Sequence, residues 1–236
     1  MFYLIPLSIG IVLLGVFLYF RVKEKRVPAV ILKGLTSLMF IATAVVAWLT
    51  SKNPTSYYGL FVIAGLFFGL LGDVFLDLKY IVLPKEKMYT ILGFCAFGIG
   101  HIFFTTGLFL HFFDFTRSVL FIIIPVIVAA LFVVISLLME VFSKIRYKDM
   151  KPFVIGYGLI LFFTVAMYFS AAIQGSWQVV PVVIMAVGLV LFALSDLILN
   201  NTYFAPGFNT PGFVISNHIF YYVAQFTIAV SLFFLF

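Results

Sequence analysis

Ionisable side chains inside apolar stretches are the residues of this sequence that could carry out chemistry. Asp73 and Asp196 lie near the ends of two such stretches in the same pattern, small-Asp-x-x-Leu, written GDVFL and SDLIL. His101 and His218 follow in the same order, in HIFF and HIFY, and Lys33 lies in an earlier stretch. An ionised side chain at the centre of a bilayer costs about 2.5–3.5 kcal/mol on insertion scales. We therefore expect these groups to pair or to line a wet cavity.

Two carboxyl groups in a cavity of low dielectric constant form a potential acid/base pair. Burial raises the pKa of a carboxyl group, and a second carboxylate nearby raises one of the two further. One carboxyl can then stay protonated at neutral pH while the other is ionised. This arrangement suits acid-catalysed hydrolysis and proton-coupled transport equally well, so the residues alone leave both functions open.

Several of these residues also have a purely structural interpretation. Asp73 and Lys33 could simply neutralise each other between helices. Asp77, four residues after Asp73, is a possible site residue, but we expect it to turn towards Lys79 at the membrane boundary. His101 could be a core histidine bonded to a carbonyl group of a neighbouring helix.

A metal site is a further alternative. Two histidines and two aspartates can hold Zn²⁺, and His101, His218, Asp73 and Asp196 would supply that set. The sequence contains no tight ligand spacing, so we predict no metal and no cofactor. P-loop, zinc-protease and nucleophile motifs are also missing from the sequence.

Composition then places these residues in a membrane protein. Of 236 residues, 65% are apolar and 9% are charged, against about 25% charged in ordinary soluble domains. Too few polar side chains remain to cover a soluble globule, and a disordered chain or a nucleic-acid-binding protein is excluded on the same ground. Cys95 is the only cysteine, so no disulfide can form within the chain. The sequence predicts a single transmembrane domain over residues 1–236.

Eight stretches are long enough to cross a bilayer as helices, which needs about 20 apolar residues. We expect the first to be an uncleaved helix rather than a secretory signal, because its basic cluster follows the apolar run. We expect Gly65-x-x-x-Gly69 and the glycines of Gly98-Ile99-Gly100 to be close helix contacts. The predicted spans are Tyr3–Phe20, Pro28–Leu49, Tyr57–Leu78, Met88–Leu110, Ser118–Val141, Pro152–Ile173, Trp177–Leu199 and Phe213–Phe236.

The distribution of Lys and Arg predicts the orientation of these spans. Eleven of the 14 basic residues lie in the first, third and fifth connections, and only Lys52 and Arg117 lie in even-numbered ones. By the positive-inside rule the odd-numbered connections face the cytoplasm, so both termini lie outside. Most of the ionisable groups within the spans then fall in the cytoplasmic half of the bundle, with His101 deeper.

The matching Asp and His motifs also predict an internal repeat. They divide the chain into residues 1–110 and 118–236, each with four spans. Because four is even, the two halves share one orientation and would be related by an axis along the membrane normal. The expected fold is an all-α, polytopic, eight-helix transmembrane bundle with a 4+4 parallel repeat.

The combination of these motifs resembles the YhhN family of multi-pass membrane proteins, which includes the mammalian lysoplasmalogenases. The resemblance covers nearly the whole chain. Its motifs are Gly72-Asp73-x-x-Leu76, Gly100-His101, Ser195-Asp196-x-x-Leu199 and Tyr222-x-x-Gln225. It implies a membrane hydrolase that cleaves the vinyl ether bond of lysoplasmalogen, a lysophospholipid, into a fatty aldehyde and a glycerophospho-headgroup.

This reaction begins with protonation of an alkene carbon, and water then captures the resulting oxocarbenium ion. Our hypothesis makes Asp73 the general acid and Asp196 the carboxylate that stabilises the cation and activates water, and the reverse assignment stays open. Lys33 would receive the lipid phosphate. The supporting residues, which would orient these groups or contact the substrate, are His101, His218, Tyr222 and Gln225.

The partners expected from this hypothesis are a lysophospholipid substrate and the bilayer of the cell membrane, with no nucleic acid. The sequence gives no oligomeric state. A proton-coupled carrier of small or lipid-like solutes and a metal-dependent lipid hydrolase remain the alternative functions.

Overall fold

The computed structural model describes all residues, Met1–Phe236, and consists of long α-helices joined by short connections, without a β-strand. All eight long helices have the length and apolar composition needed to cross a membrane. The predicted all-α, eight-helix transmembrane bundle is therefore confirmed. The helices are α1 Leu4–Val22, α2 Arg26–Leu49, α3 Tyr57–Leu78, α4 Glu86–His111, α5 Leu120–Phe142, α6 Lys151–Gln174, α7 Val180–Phe204 and α8 Pro211–Ser231.

Helix starts follow from local sequence chemistry. Pro152, Pro181 and Pro211 lie in the first turns of α6, α7 and α8, where the missing proline N–H costs no helical hydrogen bond. Thr210 caps α8, because its hydroxyl oxygen accepts a hydrogen bond from the Phe213 N–H at 3.5 Å. Within the apolar spans, helices satisfy the backbone polar groups internally, as a bilayer requires.

Helix α7 is longer than its apolar stretch predicted. The predicted span ended at Leu199, whereas the helix continues to Phe204. Polar side chains beyond the apolar stretch bond back to the helix: Asn201 donates to the Leu197 carbonyl and Thr202 to the Leu199 carbonyl, both at 2.8 Å. The connection between α7 and α8 is correspondingly short, and it covers residues 205–210.

Glycines bring α3 and α4 into close contact. A Cβ atom added at Gly65 would lie 2.9 Å from the Gly100 carbonyl oxygen, and one added at Gly100 would lie 2.8 Å from the Gly65 carbonyl oxygen. Gly69 leaves similar room for Gln225 of α8, whose Nε2 would lie 2.8 Å from an added Cβ. The expected close packing is confirmed at these positions, whereas Gly98 has only ordinary contact distances around it.

The two predicted halves pack in a reciprocal manner. Helix α3 packs most extensively on α4, and α7 on α8, while the halves meet mainly through α4 with α6 and α8 with α2. A two-fold relation between the halves would exchange these pairs. The internal repeat nevertheless stays a prediction.

Helix α5 is the most peripheral part of the second half. Only Pro125, Ala129 and Val133 of this helix are buried, and its remaining aliphatic side chains form an apolar outer surface. Between α5, α6 and α7 lies a cleft of about 600 Å³ with an almost wholly apolar lining. A lipid bilayer is the environment that suits such a surface.

Candidate functional site

A polar cavity opens at the end of the bundle where the α1–α2 and α7–α8 connections lie. It has a volume of about 340 Å³ and is lined by α1, α2, α3, α7 and α8, by residues of these connections, and by Phe97 of α4 and Tyr80 after α3. The ionisable side chains along its inner walls are Arg21, Lys33, Asp73, Asp77, Asp196 and His218. The structure thus brings five groups predicted from the sequence to one cavity, together with Arg21, which by sequence belongs to a basic connection.

Asp73 is held by three donors. Lys33 of α2 places its Nζ 3.2 Å from Oδ1. The hydroxyl groups of Ser37 and Tyr221 donate to Oδ2 at 2.6 and 2.7 Å. Only 2% of Asp73 is exposed, so both carboxylate oxygens are fully engaged by the protein. One cation and two hydroxyl donors stabilise the ionised form of this side chain.

Asp77 lies one turn further along α3 and completes a buried charge network. It accepts from the Arg21 guanidinium and from Lys33, whose Nζ lies 3.2 Å from Oδ1. Two cations and two carboxylates therefore balance within the network, as buried charges must. The expected turn of Asp77 towards Lys79 does not occur, because the Arg21 side chain reaches back from the end of α1 to this carboxylate.

Lys79 contacts aromatic rings instead. Its Nζ lies 3.2 Å from the centroid of the Tyr203 ring and 5.0 Å from that of Tyr80. Burial lowers the pKa of Lys79 to about 7, against the attraction of Glu86 and Asp77. Burial also raises the pKa of the Tyr80 hydroxyl.

Asp196 has a different environment from Asp73. The Tyr157 hydroxyl of α6 donates a hydrogen bond to its Oδ2, and no Lys or Arg lies within ion-pair distance. The side chain is partly accessible and lines the cavity. Tyr157 is positioned by stacking on Phe94 of α4, with ring centroids 5.6 Å apart. Asn217 of α8 donates to the Ser195 carbonyl at 2.7 Å, which fixes α8 beside this part of α7.

The two histidines occupy unlike positions. His218 lines the cavity, and its Nδ1 lies 2.7 Å from the Val214 carbonyl oxygen. Since a carbonyl can only accept, Nδ1 carries the hydrogen, and in the neutral ring Nε2 is then an acceptor. His101 is only 1% exposed, does not line the cavity, and has no hydrogen-bond partner on either ring nitrogen. Its ring packs edge-on against Phe192, with centroids 4.9 Å apart, so the expected carbonyl bond is not formed.

Tyr222 and Gln225 lie behind the cavity wall. The Tyr222 hydroxyl lies 3.1 Å from Ser37 Oγ and donates to the Lys33 carbonyl at 3.2 Å. Gln225 donates from Nε2 to the Tyr221 hydroxyl at 2.9 Å. Tyr222 therefore positions Ser37 and Gln225 positions Tyr221, and those two hydroxyl groups donate to Asp73. Neither Tyr222 nor Gln225 lines the cavity.

Sequence reasoning missed four contributors to the site. Arg21 has the sequence context of a topology signal only, and Ser37 and Tyr221 carry no motif. Tyr157 lies on the second turn of α6, as Lys33 lies on the second turn of α2. An alignment of the two halves on their Asp motifs would have placed Tyr157 one position after the equivalent of Lys33.

The residues weighed as zinc ligands do not form a ligand set. No three His, Cys, Asp or Glu side chains lie close enough together to hold a metal ion. Asp73 is fully occupied by its donors, and His101 lies outside the cavity. The arrangement instead provides a carboxyl group paired with a lysine, a carboxyl group without a cation, and an imidazole around one cavity.

Comparison with known protein families agrees with the motifs. The sequence model of the YhhN family matches residues 7–232, and the chain belongs to that family. No curated protein and no solved structure matches the chain significantly.

Proposed function

We propose that this YhhN family member hydrolyses the vinyl ether bond of lysoplasmalogen-like lysophospholipids within the membrane. The observation that carries the proposal is the contrast between two carboxyl groups of one cavity. Asp73 is paired with Lys33, whereas Asp196 has a tyrosine hydroxyl and no cation as its partner. Family membership and the resemblance to lysoplasmalogenases support the choice of substrate.

The charges around the two carboxyls favour Asp196 as the general acid, the reverse of the assignment made from the sequence. Burying an ionised carboxylate without a counter-ion costs far more than burying the neutral acid. Tyr157 donates to Oδ2, which leaves Oδ1 of Asp196 to carry a proton. That proton is transferred to the alkene carbon remote from the ether oxygen, which generates an oxocarbenium ion.

Water capture completes the reaction. The carboxylate that Asp196 becomes on giving up its proton stabilises the oxocarbenium ion and then accepts a proton from the attacking water. The product is a hemiacetal, which collapses to a fatty aldehyde and the free hydroxyl of the glycerophospho-headgroup. One water is consumed and Asp196 returns to its protonated form, so the protons balance.

Asp73 and His218 shape the electrostatics of this step. Asp73 is saturated by hydrogen bonds and stays ionised, so it supplies negative potential near the cation without transferring a proton. His218 Nε2 is an acceptor on the cavity wall and can orient the water. Lys33 is neutralised by Asp73 and Asp77, so it is not free to bind the lipid phosphate.

Aldehyde release tests the proposal directly. Purified protein in detergent is given a lysoplasmalogen, and aldehyde is measured for wild type, Asp196→Asn and the control Asp114→Asn, which alters an exposed carboxylate in the α4–α5 connection. We expect aldehyde from wild type and the control but not from Asp196→Asn. Absence of aldehyde from wild type, or full activity of Asp196→Asn, would contradict the proposal.

Two further measurements separate the alternative functions. Uptake of the lipid into liposomes without product would favour a proton-coupled carrier. Loss of aldehyde release on treatment with a chelator, with recovery on addition of Zn²⁺, would favour a metal-dependent hydrolase.

We also propose that the cavity opens to the cytoplasmic side of the cell membrane, with both termini outside. The support is the concentration of Lys and Arg in the first, third and fifth connections. Alkaline phosphatase fused to the C-terminus should be active, because the C-terminus is expected outside the cytoplasm. Activity of a C-terminal reporter that functions only in the cytoplasm would overturn this orientation.

A further inference from the structure

The mouth of the cavity carries charges that the proposed reaction does not use. Lys25 and Arg26 both line the cavity and are exposed. Neither lies within 4.0 Å of a carboxylate, unlike Arg21 and Lys33, which are held in ion pairs. The two mouth cations are therefore the cavity's available anion-binding groups.

Glu24 lies beside them in sequence and carries the opposite charge. It is exposed and lines the cavity, and it forms no ion pair although Lys23 and Lys25 flank it in sequence. Its φ angle of 54° belongs to the turn that ends α1, in which the Lys25 N–H donates to the Phe20 carbonyl at 3.0 Å and the Glu24 N–H donates to the Arg21 carbonyl at 3.1 Å.

We propose that residues 24–26 form a subsite for a zwitterionic phosphodiester headgroup. Lys25 and Arg26 bind the phosphate oxygens, and Glu24 binds the quaternary or primary ammonium group. This inference rests on the proposed function for the identity of the substrate, and it adds which end of that lipid the α1–α2 connection recognises. The subsite lies at the open end of the cavity, whereas Asp196 lies on its inner wall.

Charge complementarity supports this division of roles. A glycerophosphocholine or glycerophosphoethanolamine group carries a phosphate and an ammonium a few bonds apart, and the subsite offers opposite charges on adjacent residues. Arg binds phosphate through a planar fork and Lys through a point charge, so the pair satisfies several phosphate oxygens. Deeper in the cavity the free acceptors are carboxyl and imidazole groups, which repel or ignore a phosphate.

Binding of an unreactive substrate analogue tests the subsite without requiring hydrolysis. An alkyl-ether lysophosphatidylcholine lacks the cleavable double bond, and its affinity is measured for wild type, the double variant Lys25→Ala/Arg26→Ala and the control Lys23→Ala. Lys23 is an exposed cation of the same connection that does not line the cavity. We expect the double variant to bind about tenfold more weakly and the control to bind as wild type does. Equal affinity of the double variant and wild type would overturn the phosphate subsite.

The headgroup itself tests Glu24. Glu24→Gln should weaken binding of the choline lipid about threefold and leave binding of an alkyl-ether lysophosphatidic acid, which has no ammonium group, unchanged. Equal losses for both lipids would overturn the role of Glu24. An alkylglycerol without phosphate should bind wild type and the double variant equally, and a difference between them would show that the cations act on something other than phosphate.

Soluble competitors distinguish a headgroup site from a general phosphate site. Glycerophosphocholine should displace the alkyl-ether lipid at lower concentration than inorganic phosphate does, and equal potency would overturn recognition of the whole headgroup. If wild type binds the unreactive lipid through these residues but releases no aldehyde from lysoplasmalogen, the subsite stands and the hydrolase proposal fails. If wild type releases aldehyde but the double variant binds the unreactive lipid as wild type does, the hydrolase proposal stands and the subsite fails.

Discussion

Asp73 and Asp196 share a motif on α3 and α7, but the charges around them differ. The first half of the chain surrounds Asp73 with Lys33, Ser37 and a second carboxylate, Asp77, which is itself bound by Arg21. The second half offers Asp196 a tyrosine hydroxyl and no cation. Equivalent positions in a sequence pattern can thus place carboxyl groups in different electrostatic surroundings, and the proposed mechanism relies on that difference for acid catalysis beside a fixed anion.

The helices that supply Lys33 and Tyr157, the partners of the two aspartates, also correspond between the halves. Lys33 lies on the second turn of α2 and Tyr157 on the second turn of α6, and each reaches the aspartate of the following helix. A cation in one half is therefore matched by a neutral donor in the other. If the two halves arose by duplication, divergence at the positions of these partners would account for the different surroundings of the two carboxyls.

Exchanging each aspartate for asparagine should separate catalysis from stability, with the largest effect on activity. Asp196→Asn removes the proton donor, and we expect aldehyde release to fall about 1000-fold, since general acids typically contribute about 10²–10⁴. Its melting temperature should stay close to that of wild type, because no ion pair is lost. Asp73→Asn should lower the melting temperature clearly and activity less. If the same variant showed the larger loss in both aldehyde release and melting temperature, the proposed difference between Asp73 and Asp196 would be contradicted.

The next largest effect should come from changing the buried charge network of Arg21, Lys33, Asp73 and Asp77. Lys33→Met leaves two carboxylates with Arg21 alone, and breaking such a pair costs about 3–5 kcal/mol in the free energy of unfolding. The double variant Lys33→Met/Asp73→Asn should recover part of that loss, because Asp77 and Arg21 remain paired. Unfolding in detergent measures the stability of the single and the double variant. A double variant less stable than Lys33→Met would contradict the claim that the charges of the network balance.

Tyrosine variants test the hydroxyl groups that donate to the two aspartates, and we expect smaller effects from them. Tyr157→Phe removes the hydroxyl that donates to Asp196, and we expect activity to fall about tenfold, equivalent to about 1.4 kcal/mol. Tyr221→Phe removes one of three donors to Asp73 and should change activity less. A larger loss from Tyr221→Phe would place the reacting carboxyl in the first half instead.

The fold was predictable from the sequence because a bilayer leaves few options. Every backbone polar group must be satisfied within a helix, so eight long apolar stretches give eight helices. Charge scarcity likewise identified the cavity residues, since Asp73, Asp196 and Lys33 are costly unless they meet. Helix ends were less predictable: α7 continues past its apolar stretch to Phe204 because Asn201 bonds back to the backbone.

The details of the site depended on side-chain geometry that no pattern encodes. Arg21 belongs by sequence to a basic connection, and only the length of its side chain brings it back to Asp77. Tyr157 is one of 12 tyrosines and carries no motif. His101 matched His218 in sequence, yet its ring is enclosed by aromatic side chains and misses the cavity.

The smallest expected effect is on the pH dependence of stability, and it comes from Lys79. Burial lowers its pKa to about 7, so between about pH 7 and pH 10.5 the folded protein binds fewer protons than the unfolded chain. Unfolding then takes up protons, and the free energy of unfolding should rise with pH over this window. The melting temperature of wild type should therefore increase between about pH 7 and pH 9, and Lys79→Met should flatten that increase. Lys79 follows α3 and packs against Tyr203 of α7, so the burial that lowers its pKa occurs where the two halves meet. A steeper rise in Lys79→Met than in wild type would show that another group controls the pH dependence.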